Sequence, residues 1–569
     1  MSNISVDTTQ HAAHGVSRQH SPHFLEPDKD TTQSKRVNSA EEDVWKWSAQ
    51  GINFWTVIVA LSITDFLSAM DLTAVSTALP TITSDLRGND FIWPGSAYTL
   101  AATAVVPLCG GMVSIFGRKP VLLVLIAFFT LGSALAGAAQ SLTMFIAARV
   151  IQGIASGGCI AVTEIIYADL VPLPQRGIVL AIAAIIWATA SAIGPTVGGV
   201  IANAGAWRWL FYLNLPVSGI AFALVFVFFK VKAPRSTFGM KMRRIDWIGS
   251  ITIIGGATSL TLGLTWGGAQ FRWSSYQTIL PLAVGCVALL VFPLIERFWS
   301  TEPIIPWVAV SNRTSLAGYL GTLVHSIVAF CAIYYLPVYF QAVLGASPSR
   351  SGVDLLGLVM FITPSAMACG ATVQSFRRYR PQNLVGWSLI IVGFGILTIL
   401  DRNSGVARYI GCQVVLGIGL GIVWVGVSFP ILAPLPNSNN AHALAFSTFA
   451  RDLSQTWGIA IGGAILQNEL THRLPDRYKT EFPQGISSAY AAIPLVSALP
   501  EPLRGEVRAA FVDSLRVMWQ VMIGIAGLGM LTLLLMKEVE MRTNIDQQWA
   551  LQQEDKQTLR DPPVSFSGC

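Results

Sequence analysis

An all-α protein that crosses a membrane many times is the fold class predicted by three features of the sequence. Of its 569 residues, 53% are hydrophobic and only 12% are charged, whereas a soluble domain carries roughly a quarter charged residues. Its mean hydropathy is +0.56. The apolar residues are gathered into long runs, and a membrane-spanning helix needs about 20 such residues. A polytopic membrane protein follows from these features.

Fourteen apolar runs have the length and composition of membrane-spanning helices. In chain order they are predicted at residues 54–78, 93–114, 120–139, 144–168, 178–202, 209–230, 246–266, 276–297, 315–341, 353–375, 384–400, 408–432, 441–466 and 515–536. Short basic loops follow the second, sixth and tenth runs, and basic residues favour the cytosolic side of a membrane. Since all three loops follow even-numbered spans, both chain termini are predicted to be cytosolic.

The chain is predicted to divide into two six-helix halves with an inserted helix pair between them. The stretch GGMVSIFGRKP (110–120) after the second span is echoed by GATVQSFRRYRP (370–381) after the tenth. Paired halves around a central site are common among secondary transporters. The predicted units are a disordered cytosolic tail at 1–50, a first half at 51–230, a basic loop and two inserted helices at 231–300, a second half at 301–540 that includes an outer loop at 468–514, and a cytosolic tail at 541–569.

Several classes of protein are disfavoured by what the sequence lacks. Neither a G-x-x-x-x-G-K-[ST] phosphate loop nor an H-E-x-x-H metal motif occurs, so no ATP site, cofactor or metal is expected. The seven cysteines are odd in number and lie mostly in apolar runs, which does not suit a disulfide framework. The net charge of +6 comes from short loops beside apolar spans and does not indicate nucleic acid.

Four motifs resemble those of a known family of transporters. They are MDLTAVSTALPTI (70–82), GGMVSIFGRKP (110–120), ARVIQGIASGG (148–158) and AIGPTVGG (192–199). Together they resemble the fourteen-helix drug:proton antiporters of the major facilitator superfamily, and most closely the fungal multidrug and toxin efflux members. The resemblance implies a protein that is not an enzyme and that exports amphipathic small molecules in exchange for protons.

Other functions and settings stay open at this point. An uptake or vacuolar transporter of the same fold, for iron chelates or basic amino acids, is the alternative function. The expected partners are a small-molecule substrate, protons and the lipid bilayer, with no nucleic acid and with the protein as a monomer. The plasma membrane is the expected location, with the vacuolar membrane as the alternative.

Four ionisable residues inside spans are candidates for proton coupling: Asp65, Asp71, Arg149 and Glu164. Ionisable groups in a membrane are costly and therefore indicate function. At 1.5 Å per residue, Asp71 and Arg149 fall in the outer halves of their spans, so we expect them to form an ion pair that holds the outer part of the cavity. Glu164 lies toward the cytosolic side and Asp65 near mid-span, where a desolvated carboxyl suits a proton carrier. A purely structural pairing of Asp71 with Arg149 is the alternative.

Three further ionisable groups lie well inside spans: His325, Arg451 and Asp452. His325 is expected either to line the cavity and titrate or to be satisfied by a neighbouring helix. For Arg451 and Asp452, a functional role and a structural pairing of helices are both left open.

The loop after the second span is expected to act as a latch between the halves. Its residues are Gly110, Ser114, Gly117, Arg118 and Lys119, and the resemblance implies an acid at the inner end of the fourth span, here Asp169, as the partner of Arg118. Ser114 stands where the family usually has aspartate, and the resemblance implies that this position docks on the start of the thirteenth span. A serine there can still cap that helix, without the charge that favours a helix N-terminus.

Two further groups complete the predicted site. Gly194, Pro195, Gly198 and Gly199 resemble the family's antiporter motif, in which the proline kinks the fifth span; simple helix packing is the alternative. The substrate cavity is predicted to be lined by Trp187, His325, Tyr334, Tyr335, Tyr339, Gln341 and Trp424. Aromatic side chains suit such a pocket, but they are equally typical of lipid-facing positions at the ends of spans.

Overall fold

The computed structural model describes residues 51–86, 93–231, 237–267, 271–300, 303–346, 348–481, 496 and 499–541. The predicted tail at 1–50 and nearly all of the tail at 541–569 lie outside these ranges. The same holds for part of the predicted outer loop.

Fourteen long helices, α1 to α14, make up most of the described chain. Their bounds are Ile52–Asp85, Trp93–Phe116, Arg118–Gly137, Leu142–Leu170, Arg176–Asn203, Asn214–Phe228, Trp247–Trp266, Tyr276–Phe298, Arg313–Val338, Pro348–Phe376, Arg380–Leu397, Val406–Gly426, Asn440–Arg473 and Leu503–Leu535. A helix satisfies its backbone hydrogen bonds internally, which a lipid environment requires.

Twelve helical segments of the described chain are long and apolar enough to cross a membrane, and α11 and α13 are outside that set. A helix nevertheless lies at each of the fourteen predicted positions. The all-helical, multi-span fold class is therefore confirmed, while the number of fourteen crossings stays a prediction.

Polar side chains mark the starts of several helices. Ser141 accepts a hydrogen bond from the backbone N–H of Met144 at the start of α4. Asn312 accepts one from Thr314 at the start of α9. These side chains satisfy N–H groups that have no partner inside the helix.

Two predicted loops are shorter in the structure than expected. The stretch 110–120 is almost entirely helical, because α2 ends at Phe116 and α3 begins at Arg118. Gly117 alone makes the break, with a φ of 96° that favours glycine. The segment LRGEVRAAFVDSL, most of which falls in the predicted outer loop at 468–514, instead forms the first turns of α14. There it buries Leu503, Val507 and Phe511, because one of its faces packs on the bundle.

The two halves meet mainly along two helix pairs, α2 with α13 and α5 with α10, and α4 also packs on α13. The inserted helices α7 and α8 pack on each other, and α7 also packs beside α2 and α13. A Cβ on Gly110 would lie 2.8 Å from the Cα of His442, and one on Gly177 would lie 2.5 Å from the Cα of Gly370. The halves therefore touch backbone to backbone at the end of the bundle that carries Arg118, called the basic end below.

Candidate functional site

A cavity of about 2580 Å³ lies between the two halves. Its wall combines aromatic side chains with a few charged and amide groups and draws on both halves and on α7. At the end of the bundle opposite the basic end, the wall reaches Val200, Gly352 and Thr471. The cavity is thus closed off at the basic end by the contacts between the halves and extends toward the opposite end.

Five of the seven residues predicted to line the cavity do so: Trp187, His325, Tyr334, Tyr335 and Trp424. The prediction is wrong for Tyr339 and Gln341. The Tyr339 hydroxyl donates to the carbonyl of Asp401 at 2.8 Å, and the Gln341 amide donates to Ser351 at 3.2 Å. Both belong to a π-helical segment, Tyr339–Val343, that follows α9 and is not part of the cavity wall.

Glu164 and Arg451 join the two halves at the floor of the cavity. Arg451 on α13 donates to one carboxylate oxygen of Glu164 on α4 at 2.8 Å. The hydroxyl of Thr448, one turn earlier on α13, donates to the other oxygen at 2.6 Å. Both charged side chains are 13% exposed and face the cavity.

An aromatic and imidazole stack supports Arg451 on its other side. Its guanidinium lies over the Trp424 ring at 4.6 Å, and Trp424 in turn contacts His325 edge to face at 5.9 Å. A cation over an indole face is attracted by the ring. His325 Nε2 lies 2.9 Å from the carbonyl of Leu420. His325 thus lines the cavity and is also bonded to a neighbouring helix, while its titration stays a prediction.

Asp65 on α1 and Asp452 on α13 also line the cavity. Asp65 is 6% exposed, and among the described residues its Oδ1 has no hydrogen-bond partner. An unpartnered buried carboxyl oxygen is costly as an anion. This position is where the sequence placed a proton carrier.

Asp71 and Arg149 form the predicted ion pair, but in a different setting from the one expected. Arg149 donates to Asp71, and Gln152 and Asn214 donate to the other Asp71 oxygen at 3.3 and 3.0 Å. Arg149 also lies over the Tyr98 ring at 4.2 Å. Neither Asp71 nor Arg149 belongs to the cavity wall. The idea that they hold the cavity's outer part is therefore wrong, since the pair lies among α1, α4 and α6 within the first half.

The Arg118–Asp169 contact expected for the latch is present. Arg118 Nε donates to Asp169 at 2.8 Å, with both side chains 5% exposed. Lys119 donates to the carbonyl of Phe226 at 2.6 Å. These bonds tie the start of α3 to the ends of α4 and α6, all in the first half.

Ser114 does not cap α13. Its hydroxyl donates to the carbonyl of Gly110 in its own helix at 2.8 Å. No side chain caps the start of α13 in the described structure. It is Gly110 that brings α2 against the start of α13, by allowing close approach to Ala441 and His442.

The predicted antiporter motif lies within α5. Gly194 is buried against α1, where a Cβ would overlap Thr73, and Gly199 lines the cavity. Gly198 is buried. The side chain of Pro195 is outside the described part of the structure, so its role stays a prediction.

Arg451, Thr448 and Asp452 were not among the predicted site residues. The signal available in the sequence was the presence of two ionisable groups in an apolar span, which left function and structural pairing equally open. What could not be read was that Arg451 meets an acid 287 positions earlier in the chain.

A helical bundle with a cavity between two halves defines a membrane transporter. Residues 61–459 match the Major Facilitator Superfamily. The chain is 37% identical over 516 residues to efflux pump FUS6 of Gibberella fujikuroi, covering 89% of this chain and 93% of that protein. It is 34% identical over 514 residues to the acurin A biosynthesis cluster MFS-type transporter of Aspergillus aculeatus, covering 88% and 92%.

The chain therefore belongs to the Major Facilitator Superfamily and is a transporter of the fungal efflux type rather than an enzyme. Among solved structures it is similar to the proton:xylose symporter XylE bound to 6-bromo-6-deoxy-D-glucose. That likeness has a TM-score of 0.52 and 13% identity, and it covers 84% of this chain and 94% of that one. It supports the fold alone.

Proposed function

We propose that this protein exports amphipathic small molecules, such as drugs, toxins or secondary metabolites, in exchange for protons. The observation that carries the proposal is the cavity between the halves, which combines aromatic walls with carboxyl groups. Relatives that are an efflux pump and a transporter of a biosynthesis cluster support export.

The cavity suits substrates of varied shape. Its volume of about 2580 Å³ exceeds the roughly 300–1,000 Å³ of an ordinary small-molecule pocket. A substrate can therefore bind against different parts of the aromatic wall, to which one half contributes Trp187 on α5 and the other half Tyr334 on α9.

The proton is carried by carboxyl groups that face the cavity, Asp65 and Glu164. Asp71, also a candidate from the sequence, is assigned to holding helices together because Arg149, Gln152 and Asn214 occupy it. A carrier must exchange protons with a water-accessible path, and Asp65 and Glu164 line one.

The membrane arrangement completes the proposal. The chain crosses the plasma membrane fourteen times with both termini in the cytosol, or lies in the vacuolar membrane in the same topology, and works as a monomer without a cofactor. In this orientation the basic end is cytosolic and the cavity extends outward. Each proton moving down the membrane potential supplies about 2.3 kcal/mol per 100 mV.

Dye accumulation in a pump-deficient yeast tests the function. We expect the full chain to lower the accumulation of a fluorescent lipophilic cation, and a protonophore to abolish this effect. Asp85→Asn, at an exposed ion pair, is the matched carboxylate control and should export as the natural chain does. Higher accumulation than in the empty strain would instead indicate uptake, and export that survives the protonophore would contradict proton coupling.

A further inference from the structure

The contacts of Glu164 are unusual because its hydrogen bonds come from α13, across the boundary between the halves. Arg451 donates to one oxygen at 2.8 Å and Thr448 to the other at 2.6 Å. Both carboxylate oxygens of a residue in the first half are thus held by one turn of a helix in the second half.

The contact with Arg451 suits the charged form of Glu164. An arginine is a donor without acceptor capacity, so a proton on the oxygen that Arg451 contacts would face another donor. A proton on the other oxygen can be accepted by the Thr448 hydroxyl, which donates in this geometry but can also accept. On either oxygen the proton removes the charge that attracts Arg451, so protonation removes the ion pair.

The contact between Glu164 and Arg451 lies where its loss would affect the closed basic end. Arg451 is nine residues beyond His442, about 13 Å along α13 at 1.5 Å per residue, and His442 lies against Gly110 at the basic end. The Glu164 contact is thus a layer between the cavity and the closed end. The halves cannot separate at the basic end while it is intact.

Arg451 has other contacts that remain when its ion pair with Glu164 is broken. It stacks on Trp424 of α12 at 4.6 Å, and Asp452 follows it on α13. The other titratable groups that face this part of the cavity are Asp65 of α1 and His325 of α9. Release of Glu164 therefore does not leave the arginine without a partner.

We propose that Glu164, Thr448 and Arg451 form a proton-released clamp, in which a proton arriving through the cavity detaches Glu164 from Arg451 and allows the basic end to open. The clamp closes that end when Glu164 is charged. Arg451 is then the coupling residue that responds to the protonation of Glu164. The inference rests on the proposed proton-coupled export, in which the unprotonated transporter returns to the state with the basic end closed.

Spin-label distances across the basic end test the clamp directly, without a substrate. Labels on Val227→Cys of α6 and Phe376→Cys of α10 are exposed and lie in different halves at that end. The exposed Cys286 and the terminal Cys569 are replaced by serine. In the full chain in lipid nanodiscs, we expect a short distance at neutral pH and a shift to a longer one on acidification.

Variants of the clamp separate it from other acids. Glu164→Gln should give the long distance at neutral pH and lose the response to acid, and Arg451→Gln should do the same. The double variant should shift no further, because residues that act through one contact are not additive. Thr448→Val, which keeps both charges, should shift the acid response toward neutral pH and remains informative if a charge variant fails to fold. Asp85→Asn, at an exposed ion pair outside the cavity wall, is the control and should keep the response of the natural chain.

The outcomes are distinct from those of the dye assay. A distance that stays short in Glu164→Gln, a response that survives in it, or shifts of Glu164→Gln and Arg451→Gln that add in the double variant would each overturn the clamp, even if protonophore-sensitive export is observed. Loss of the acid response in Asp452→Asn but not in Glu164→Gln would assign the switch to Asp452 and overturn the clamp as well.

Discussion

Two arginine–carboxylate centres in this protein use the same chemistry in opposite settings. In the Asp71–Arg149 centre, the side chains are 1–2% exposed, and the partners Gln152 and Asn214 lie in the first half. In the Glu164–Arg451 clamp, they are 13% exposed, line the cavity and join the two halves. Each arginine also stacks on an aromatic ring, Tyr98 in the first centre and Trp424 in the second.

The difference lies in what each centre holds together. Helices of one half keep the same neighbours while the two halves move apart and together. A hydrogen-bonded ion pair among those helices therefore specifies their packing. A pair across the boundary must break whenever the halves part. Water reaching it through the cavity can also deliver a proton. An arginine–carboxylate pair is therefore expected to stabilise helix packing in the Asp71–Arg149 centre and to respond to protonation in the Glu164–Arg451 clamp.

Arg149→Met should give the largest effect. It leaves Asp71 buried without its cation, and removing one partner of a buried pair costs about 3–5 kcal/mol. We expect a lower unfolding temperature in detergent and little protein at the cell surface. Arg149→Lys keeps the charge but loses the planar donor fork. Its unfolding temperature should therefore lie between those of the natural chain and Arg149→Met. A stable, fully active Arg149→Met would mean that the first centre does not hold α1, α4 and α6 together.

Asp65→Asn should abolish coupling while leaving the fold intact. The replacement removes a carboxyl group that faces the cavity, and it introduces no buried charge. In the dye assay we expect accumulation equal to that of the empty strain, with normal surface expression and unfolding temperature. Glu164 would be the sole carrier if Asp65→Asn retained protonophore-sensitive export.

Ser114→Asp should give a smaller shift toward the state with the basic end closed. The aspartate cannot donate to Gly110 as the serine does, and its charge favours the uncapped start of α13 by about 0.3–1 kcal/mol. The spin-label distance across the basic end should then require more acid to lengthen. Ser114→Ala is the control for loss of the hydroxyl and should not show this delay.

Arg208→Met should give the smallest effect, because its partner Asp85 is about half exposed. Exposed pairs are worth about 0–1 kcal/mol. The hydrogen bond from the Trp207 indole, and then that from Arg208, lower the pKa of Asp85. Because the pKa of Asp85 is lower in the folded chain than in the unfolded chain, the charged carboxylate stabilises the fold at pH values above the ordinary pKa of aspartate. That stabilisation is lost as the pH falls through the lowered pKa. In thermal unfolding scans, Arg208→Met should slightly reduce the fall in unfolding temperature on acidification. An effect as large as that of Arg149→Met would contradict the distinction between buried and exposed pairs.

Much of the fold and part of the site could be predicted from the sequence. Long apolar runs require helices in a membrane, and every predicted span contains one. The contact of Asp71 with Arg149 followed from residues placed at matching depths on their helices. The contact of Arg118 with Asp169 followed from the resemblance to the family's loop motif. The resemblance of four motifs identified the superfamily.

Only the tertiary structure decided which charged groups face the cavity. Periodicity places Asp65 and Asp71 on one helix but does not say that Asp71 is enclosed by α4 and α6 while Asp65 meets the cavity. Nor can spacing pair Glu164 with Arg451 across 287 positions, because that contact depends on how the two halves pack. The sequence by itself determined the helices and the ionisable groups they carry, and the packing of the halves decided which of those groups hold the structure and which can respond to a proton.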